Sequence, residues 1–330
     1  MAGCPTYSST DSLVKMDQTQ VNHWVHQLCE SSMLDLSRVG EHRVSFLATI
    51  DDLGLAYKID GQILRLRKRI EMLDIDLLQF NLAQRGLNTE CQYWLKTKST
   101  NLDVIALFDQ KAITSIATCE KQTQGKGRRG NHWVSPFAQN IYCTVGVLKT
   151  IKPANLGLLS IVTGLAICKA LSNLGYQEVK LKWPNDLYYQ GEKLGGILIE
   201  SRPVKDNQYF LAIGFGINVD MSNKSLAAIE QAVTCLNLIA SKTITRNQIL
   251  LETVSQTLTD IDAFSDEAIP QLVEAFDQVD AFKGMPVNVL SSGKTIACTN
   301  AGITQTGQLQ VETKQGMMMF SAADISLRRA

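Results

Sequence analysis

The sequence predicts an α/β protein of the α+β kind, built from three successive domains. Helix-spaced apolar residues and a hairpin signal fill the first eighty residues, as in a winged helix. Long strand patterns alternate with helical patterns through the middle of the chain, and short Val/Ile/Thr runs broken by turn residues close it, as in a small antiparallel β-barrel. A length of 330 residues fits this division. The predicted domains are residues 1–80, which include a linker, 81–283 and 284–330.

The composition predicts a cytoplasmic protein with reduced thiols. Lys and Arg together number 32 and so do Asp and Glu, so no overall charge attracts nucleic acid or a membrane. The eight cysteines form no C-x-x-C pair and no cluster with the four histidines, which argues against disulfides and zinc ligands. No secretory signal opens the chain, and the apolar segment 154–168 is shorter than a membrane span. We therefore expect no membrane partner.

The first domain has the outline of a winged helix. Apolar residues around Trp24 and Leu28 have helical spacing, a second helix is predicted from Val44 to Leu53, and Gly54 ends it. Asp60-Gly61 is a dipeptide typical of a tight hairpin. The sequence therefore predicts helix, helix and hairpin in that order.

DNA binding by this domain is a separate question. Residues 1–80 hold eight basic and eleven acidic residues, which makes the domain a poor binder of phosphate unless its charges are segregated. A helix-turn-helix also needs a supporting helix, and the segment 31–40 has room only for a loop or a single turn. We favour a degenerate, structural domain. Operator binding, with Arg65, Arg67, Lys68 and Arg69 as its basic cluster, is the alternative.

The middle domain alternates strands and helices. A capping box of Thr100 and Asp103 is expected to begin one helix, and Gly175 to end another. The predicted strands are 92–95, 112–119, 140–147, 178–183, 193–200 and 208–219, and the predicted helices are 70–81, the one after Thr100, 155–174, 225–238, 246–264 and 270–279.

The stretch from Lys121 to Gly130 is the first candidate for binding chemistry. Gly125, Gly127 and Gly130 let the backbone approach a ligand closely, and three cations, Lys126, Arg128 and Arg129, stand among them. This combination suits phosphate. We expect the loop to be mobile until an anion fills it. The alternative is a solvated basic turn.

Two further stretches carry polar groups into the predicted sheet. In the strand 178–183, Lys180 and Lys182 share one face, and Pro184-Asn185-Asp186 follows, where the short polar side chains suit either a turn or a ligand site. Lys193 opens the next strand, and Gly195 and Gly196 remove side chains from it, as where a ligand comes close. Ser99-Thr100-Asn101 could equally be a simple helix cap.

Four motifs in this order resemble those of biotin–protein ligases. They are the Gly/Arg loop, Lys-Trp-Pro-Asn-Asp at 182–186, Lys-Leu-Gly-Gly-Ile-Leu at 193–198, and Gly-x-Gly-Ile-Asn at 214–218. The resemblance runs from about Tyr93 to the C-terminus. It implies a central mixed sheet related to class II aminoacyl-tRNA synthetases and an SH3-like C-terminal barrel, as in the bifunctional members that add a winged-helix repressor domain.

The resemblance also implies roles for residues. Catalysis is expected from Lys193, Arg128 and Lys182, and Asp186 is the candidate Mg²⁺ ligand. The implied biotin-binding residues are Ser99, Thr100, Asn101, Gln122, Lys126, Gly127, Arg128, Lys193, Gly195 and Gly196. The implied ATP and adenylate residues are Gly125, Arg129, Trp133, Tyr142, Asn185, Asp186 and Asn218.

The implied activity joins biotin to a protein with ATP and Mg²⁺ as cofactors. Biotin attacks the α-phosphorus of ATP, giving biotinyl-5′-AMP, and a lysine of the biotin carboxyl carrier protein of acetyl-CoA carboxylase then displaces AMP. Homodimerisation is implied as well. The alternatives are a biotin-responsive DNA-binding repressor and a lipoate–protein ligase, which the second and third motifs disfavour. Lys126 stands where the family loop usually has arginine, which predicts weaker retention of the adenylate.

Overall fold

The computed structural model describes residues 18–111, 113–227, 229–239, 244–291, 294–322 and 325–329. They fall into two compact units, which divide between Met72 and Leu73. Cys4, Ala112, Ser292 and Gly293, which the sequence analysis placed among the thiols, a strand and a turn, lie outside the described residues. The seven described cysteines are free thiols, and five of them are buried.

The first unit contains the predicted helix, helix and hairpin. Leu28, Phe46 and Ile50 are fully buried in its core, and Gly54 ends the second helix in a left-handed conformation with φ of 79°. A short strand and two 3₁₀ turns occupy the segment between the helices. Its elements are α1 (Gln18–Ser31), β1 (Met33–Asp35), α2 (Arg43–Leu53), β2 (Tyr57–Asp60) and β3 (Ile63–Leu66), with the strands ordered β1-β3-β2.

The second unit contains a seven-stranded mixed sheet. Its strands are ordered β4-β5-β6-β10-β9-β8-β7, and only the β4–β5 pair is parallel. The predicted mixed sheet is confirmed. The seven strands and the helices between them are α3 (Ile75–Gln84), β4 (Glu90–Trp94), α4 (Thr100–Lys111), β5 (Ser115–Cys119), β6 (Asn140–Thr150), α5 (Leu159–Asn173), β7 (Lys180–Lys182), β8 (Asp186–Tyr189), β9 (Glu192–Lys205) and β10 (Gln208–Asn218).

The remaining elements cover the sheet and build the C-terminal region. They are α6 (Asn223–Ala227), α7 (Leu236–Ile239), α8 (Arg246–Ala263), α9 (Ile269–Val279), β11 (Pro286–Ser291), β12 (Lys294–Ile303), β13 (Leu309–Thr313), β14 (Gly316–Phe320) and β15 (Ile325–Arg329). The last five strands form an antiparallel sheet ordered β14-β13-β12-β11-β15. The indole N–H of Trp183 donates to the carbonyl of Gly307 at 2.9 Å, so this sheet contacts the end of β7.

The alternation of β6 separates a packing face from a binding face. Ile141, Cys143 and Val145 are fully buried in the core that includes α5 and α8. Thr144 points to the opposite face, towards the start of α4. The helix of the segment 153–173 is long and apolar enough to cross a membrane by composition, but 67% of its apolar window is buried within the protein. It is a core helix that lies against the sheet.

Three local predictions are wrong. The helix predicted at 225–238 is interrupted, because Ala232 and Thr234 instead pair with the backbone of Lys193 at 3.0 Å each. The Thr100–Asp103 capping box is not formed, since the carboxylate of Asp103 accepts from the Thr97 hydroxyl at 3.1 Å. The linker helix begins at Ile75 rather than at residue 70, because the side chain of Asp74 caps it by accepting from Leu77 N–H.

Candidate active site

A cavity of about 770 Å³ opens on the binding face of the seven-stranded sheet. Its walls come from the N-terminus of α4, the glycine loop, β8, β9, β10 and β15. The structure therefore brings together residues that are far apart in the sequence. The predicted site residues that line it are Ser99, Thr100, Asn101, Gln122, Lys126, Gly127, Arg128, Arg129, Trp133, Lys182, Asn185, Asp186, Lys193 and Gly196.

One end of the cavity is lined by uncharged side chains joined by hydrogen bonds, and Asn101 also donates to the carboxylate of Glu200 at 2.7 Å. The amide oxygen of Gln122 accepts from the backbone N–H of Thr100 at 3.0 Å. The hydroxyl of Thr144 lies 2.7 Å from Oδ1 of Asn101 and 2.8 Å from Oγ1 of Thr100. Because Ser99, Thr100 and Asn101 are all more than 90% buried, their polar groups are fixed before any ligand arrives. We call this group, together with Gln122 and Thr144, the neutral end.

The other end carries charged side chains. Nζ of Lys193 lies 2.8 Å from Oδ1 of Asp186, and both side chains are less than 20% exposed. Arg128 donates to Oδ1 of Asn185 at 3.2 Å and also to the carbonyl of Ala322. Four charged residues, Arg128, Lys182, Asp186 and Lys193, define the charged end.

Burial alters the acidity of two of these cations. It lowers the pKa of Lys182, an effect that Asp186 opposes and Arg328 reinforces. It also lowers the pKa of Arg128, with Arg129 adding to the effect. The ammonium of Lys182 lies 3.2 Å from the hydroxyl of Tyr188 and 5.0 Å from the centre of its ring. An anion entering the charged end would therefore meet partly desolvated cations, whose attraction for it is stronger than in water.

Backbone hydrogen bonds fold the glycine loop into a tight turn. Trp133 N–H donates to the carbonyl of Gly125 at 2.9 Å, and Gly127 N–H donates to the carbonyl of Asn131 at 2.7 Å. A Cβ at Gly125 would lie 2.8 Å from the Trp133 carbonyl oxygen, so the turn requires glycine there. The loop thus presents Lys126, which is exposed, and Arg128, which is half-buried, to the same cavity.

Glycines in the sheet make room for Trp133. A Cβ at Gly216 would lie 2.6 Å from two atoms of the indole, and one at Gly196 would lie 3.3 Å from it. The ammonium of Lys193 lies 5.6 Å from the centre of a Trp133 ring. Of the paired glycines predicted as a site of close approach, Gly196 therefore receives a side chain of the protein, which forms part of the cavity wall.

Four predicted site residues do not line the cavity. Tyr142 is 1% exposed and donates its hydroxyl to the carbonyl of Pro136 at 2.9 Å. Asn218 donates to the carbonyl of Thr234 at 3.0 Å. Gly195 is enclosed by the backbone of Gly216 and by Leu187, and Gly125 by the turn. The hydrogen bonds of Tyr142 and Asn218 place these side chains as supports of the cavity walls.

Sequence reasoning missed several residues of the site. Arg328 and Leu327 of β15 line the cavity, as do Ile229, Glu230 and Gln231. The segment 229–231 was hidden by the wrong helix prediction. Arg328 had a usable signal, because a cation near the end of an apolar strand often points to a polar partner, but nothing in the sequence linked it to the glycine loop.

Two carboxylates line this cavity, Asp186 and Glu230, and Asp186 is the predicted metal ligand. Among the described residues, no group of three His, Cys, Asp or Glu side chains is placed to hold a metal ion. Asp186 lines the cavity and keeps 18% of its side chain exposed. Mg²⁺ commonly takes one or two protein carboxylates and completes its shell with phosphate oxygens and water, so the donor set fits Mg²⁺ only together with a nucleotide.

Comparison with known proteins identifies the family. The model of the biotin/lipoate A/B protein ligase family matches residues 92–218. The bifunctional ligase/repressor BirA of Escherichia coli (strain K12) is 30% identical over 232 residues, which cover 70% of this chain and 72% of that protein. The chain belongs to the biotin–protein ligase family. The family membership predicted from the four motifs is confirmed.

Further relatives of the ligase family agree with this assignment. A biotin–[acetyl-CoA-carboxylase] ligase of Mycobacterium tuberculosis (strain ATCC 25618 / H37Rv) is 29% identical over 240 residues, covering 70% of this chain and 86% of that one. The fold is shared with a biotin protein ligase from Aquifex aeolicus solved in complex with biotin and ATP. That match has a TM-score of 0.60 at 23% identity and covers 73% of this chain and 99% of the other.

Proposed function

We propose that the protein is an ATP-dependent biotin–protein ligase whose cavity holds biotin and ATP side by side. The observation that carries the proposal is the division of one cavity into a neutral end and a charged end. A ureido ring is neutral and needs fixed donors and acceptors, whereas a carboxylate and a triphosphate need cations. The ring of biotin is placed at the neutral end, and its carboxylate meets the α-phosphate of ATP at the charged end.

The chemistry needs positioning and charge neutralisation. A carboxylate oxygen of biotin attacks the α-phosphorus, the bond to the bridging oxygen breaks, and pyrophosphate leaves, giving biotinyl-5′-AMP. The amine of the acceptor lysine then attacks the carbonyl carbon, and AMP leaves. Lys193 and Arg128 neutralise charge that develops on the phosphoryl and carboxyl oxygens, and Lys182 extends this field. The glycine loop shields the mixed anhydride from water.

Mg²⁺ is proposed as a cofactor that binds with the nucleotide. Asp186 would hold it, and the ion would supply further neutralisation of phosphate charge. To bind the metal, the Asp186 carboxylate would give up part of its contact with Lys193. The ammonium of Lys193 could then contact the substrate.

The proposed partners are the biotin carboxyl carrier protein and a second copy of the chain. The pairing of β8 with β9 stops at Gly196, while β9 continues to Lys205. Within the described residues, this outer part of β9 pairs only with β10. An open strand edge of this kind can accept a strand from another protein. We propose this edge for docking, in a cytoplasmic enzyme.

The proposed domains are a winged-helix-like domain at 1–80, a ligase domain at 81–283 and an SH3-like barrel at 284–330. The hairpin and two helices of the first unit support the winged helix, and the five antiparallel strands at the C-terminus support the barrel. We favour a structural role for the first domain, because the excess of acidic over basic residues in its sequence opposes DNA binding.

A carrier-labelling assay tests the ligase proposal. The protein is incubated with radiolabelled biotin, Mg-ATP and the carrier protein, and one carrier lysine should become labelled. A carrier with that lysine replaced by arginine is the matched control. Failure of the well-folded protein to label the carrier would overturn the proposal, and labelling by lipoate instead would assign it to the related ligase class. A gel shift with the DNA upstream of the chain's own gene, with and without biotinyl-AMP, tests the repressor alternative.

A further inference from the structure

A buried ion pair lies just outside the cavity. Glu120, directly after β5, is 0% exposed, and Arg246, the first residue of α8, is 4% exposed. Oε2 of Glu120 lies 2.7 Å from Nη1 of Arg246. Neither residue belongs to the motifs, and neither lines the cavity. A buried pair of charges contributes little net stability, because removing both from water costs about as much as their attraction returns. Stability alone is therefore a weak explanation for it.

Both oxygens of the Glu120 carboxylate are used. Oε1 accepts from the backbone N–H of Leu73 at 2.7 Å and lies 3.4 Å from the hydroxyl of Tyr93. Arg246 also donates to the carbonyl of Asn140 at 3.2 Å. The pair therefore joins the end of β5, the start of β6, the start of α8 and the first residue of the second unit. Glu120 and Arg246 thus add side-chain contacts between four backbone segments, of which β5 and β6 are also paired as strands.

The chain between Glu120 and the cavity has little freedom. Gln122, a member of the neutral end, is only two residues from Glu120. Between them, Thr97 N–H donates to the carbonyl of Lys121 at 3.1 Å, and Glu120 N–H donates to the carbonyl of Trp94 at 3.1 Å. Glu120 and Gln122 are therefore joined by a short, hydrogen-bonded stretch of backbone, and the amide oxygen of Gln122 accepts from the backbone N–H of Thr100.

We propose that Glu120 and Arg246 are positioning residues for the neutral end of the cavity. The pair fixes the position of Gln122 relative to the N-terminus of α4. The same carboxylate accepts from the backbone N–H of Leu73, the first residue of the second unit. The pair affects binding of the ring of the acid substrate and not binding of the nucleotide. The kinetic part of the test rests on the proposed function, because it uses biotin.

Glu120→Gln tests the proposal with a minimal change of shape. An amide has one acceptor oxygen, so it can serve Leu73 N–H or Arg246 but turns a donor towards the other. We expect the KM for biotin to rise about tenfold, which corresponds to the loss of roughly one hydrogen bond's net contribution. The KM for ATP should stay within about twofold. Amide hydrogen exchange at Thr100 should accelerate, and this readout is independent of the substrate's identity.

Two further variants separate positioning from stability. Glu120→Gln with Arg246→Met removes both charges, so we expect the melting temperature to recover while the KM for biotin stays raised. Arg246→Lys keeps the charge but replaces the planar guanidinium by a single ammonium, and it serves if Glu120→Gln does not fold. Glu252→Gln is the control, because this carboxylate contacts Arg85 on the surface between α3 and α8.

The outcomes are distinct. A KM for biotin that is unchanged, or that recovers together with the melting temperature, overturns the positioning role. Equal changes in both KM values also overturn it, since they would indicate general loosening. If the wild-type chain binds no biotin, the proposed function fails, but the exchange rate at Thr100 still decides whether Glu120 positions Gln122.

Discussion

The two ends of the cavity are built by opposite means. At the neutral end, uncharged side chains are already bonded to one another: Gln122 to Thr100, and Thr144 to both Thr100 and Asn101. At the charged end, Lys193 pairs with Asp186, Arg128 and Lys182 contact neutral oxygens, and burial depresses the pKa values of Lys182 and Arg128. The neutral end is complete in the free protein, whereas the charged end has an excess of positive charge.

This difference predicts which substrate each end controls. A preformed neutral network selects shape and hydrogen bonding, and its disturbance changes affinity by roughly the value of one hydrogen bond. An excess of partly buried cations instead stabilises those states of the reaction that carry more negative charge. Removing one of these cations therefore slows the chemical step. Substitutions at the charged end should therefore have the larger kinetic effects.

The largest effect is expected from Lys193→Met. The change removes the ammonium that lies between Asp186 and Trp133 while keeping the length of the side chain. Removing one group that stabilises developing charge costs about 100- to 1,000-fold in kcat, and Asp186 is left without its partner as well. Biotin-dependent pyrophosphate release measures the loss. A decrease of less than tenfold would remove Lys193 from the catalytic role, and Lys180→Met, an exposed residue of β7 outside the cavity lining, is the control.

Gly216→Ala should weaken nucleotide binding by about tenfold. The new Cβ would lie 2.6 Å from two indole atoms, so Trp133 must leave its position on the sheet, with a typical overpacking cost of 1–3 kcal/mol. Calorimetric titration with a non-hydrolysable ATP analogue measures the change. Gly157→Ala is the matched control, since its nearest neighbour would be 4.0 Å away. Unchanged nucleotide affinity would show that the position of Trp133 in the cavity wall does not contribute to nucleotide binding.

The sequence allowed the charged end to be predicted better than the neutral end. Cations, glycines and a Pro-Asn-Asp turn stand out in a sequence because the chemistry of phosphate favours few residue types. Thr144 and Glu120 have no such signal: one is an ordinary strand threonine and the other a single carboxylate. Their importance arises from long-range contacts that no local pattern contains.

The same physical reason divides the correct and wrong fold predictions. The alternation of β6 is set by the two-residue period of a strand, so it could be assigned from sequence. The break at 229–235 depends on pairing with Lys193, forty residues away, which overrides local helix preference. Thr100 similarly bonds Gln122 rather than forming a local cap, because a site residue has competing partners.

Thr144→Val probes the neutral end with almost no change of volume. The hydroxyl lost is fully buried, and its removal deprives Asn101 Oδ1 of its donor, at a cost of about 1–3 kcal/mol. We expect the KM for biotin to rise about tenfold and the KM for ATP to change by less than about twofold. Steady-state kinetics at saturating concentrations of the other substrate separate the two. An equal rise in both values would contradict the division of the cavity.

Lys182→Met should change stability in a pH-dependent way. Burial lowers the pKa of Lys182 in the folded state below its ordinary value of 10.5, so the unfolded chain binds more protons between the two pKa values. The wild type therefore carries a penalty at neutral pH that disappears as pH rises towards 10.5. In the free protein, the variant should be the more stable at pH 7, and its advantage in urea unfolding should shrink by pH 10. A constant advantage would show that the charge of Lys182 is not responsible.

Lys126→Arg should have the smallest effect, because it leaves the charge of the loop unchanged. A guanidinium can bind a phosphate through two parallel hydrogen bonds, whereas an ammonium acts as a point charge. We expect biotinyl-AMP to dissociate about threefold more slowly from the variant, as measured by stopped-flow fluorescence after dilution into unlabelled ligand. Lys121→Arg, outside the cavity lining, should leave the rate unchanged. If Lys126→Arg also leaves it unchanged, the loop acts through net charge alone, and the charged end owes its hold on the adenylate to Arg128 and Lys193.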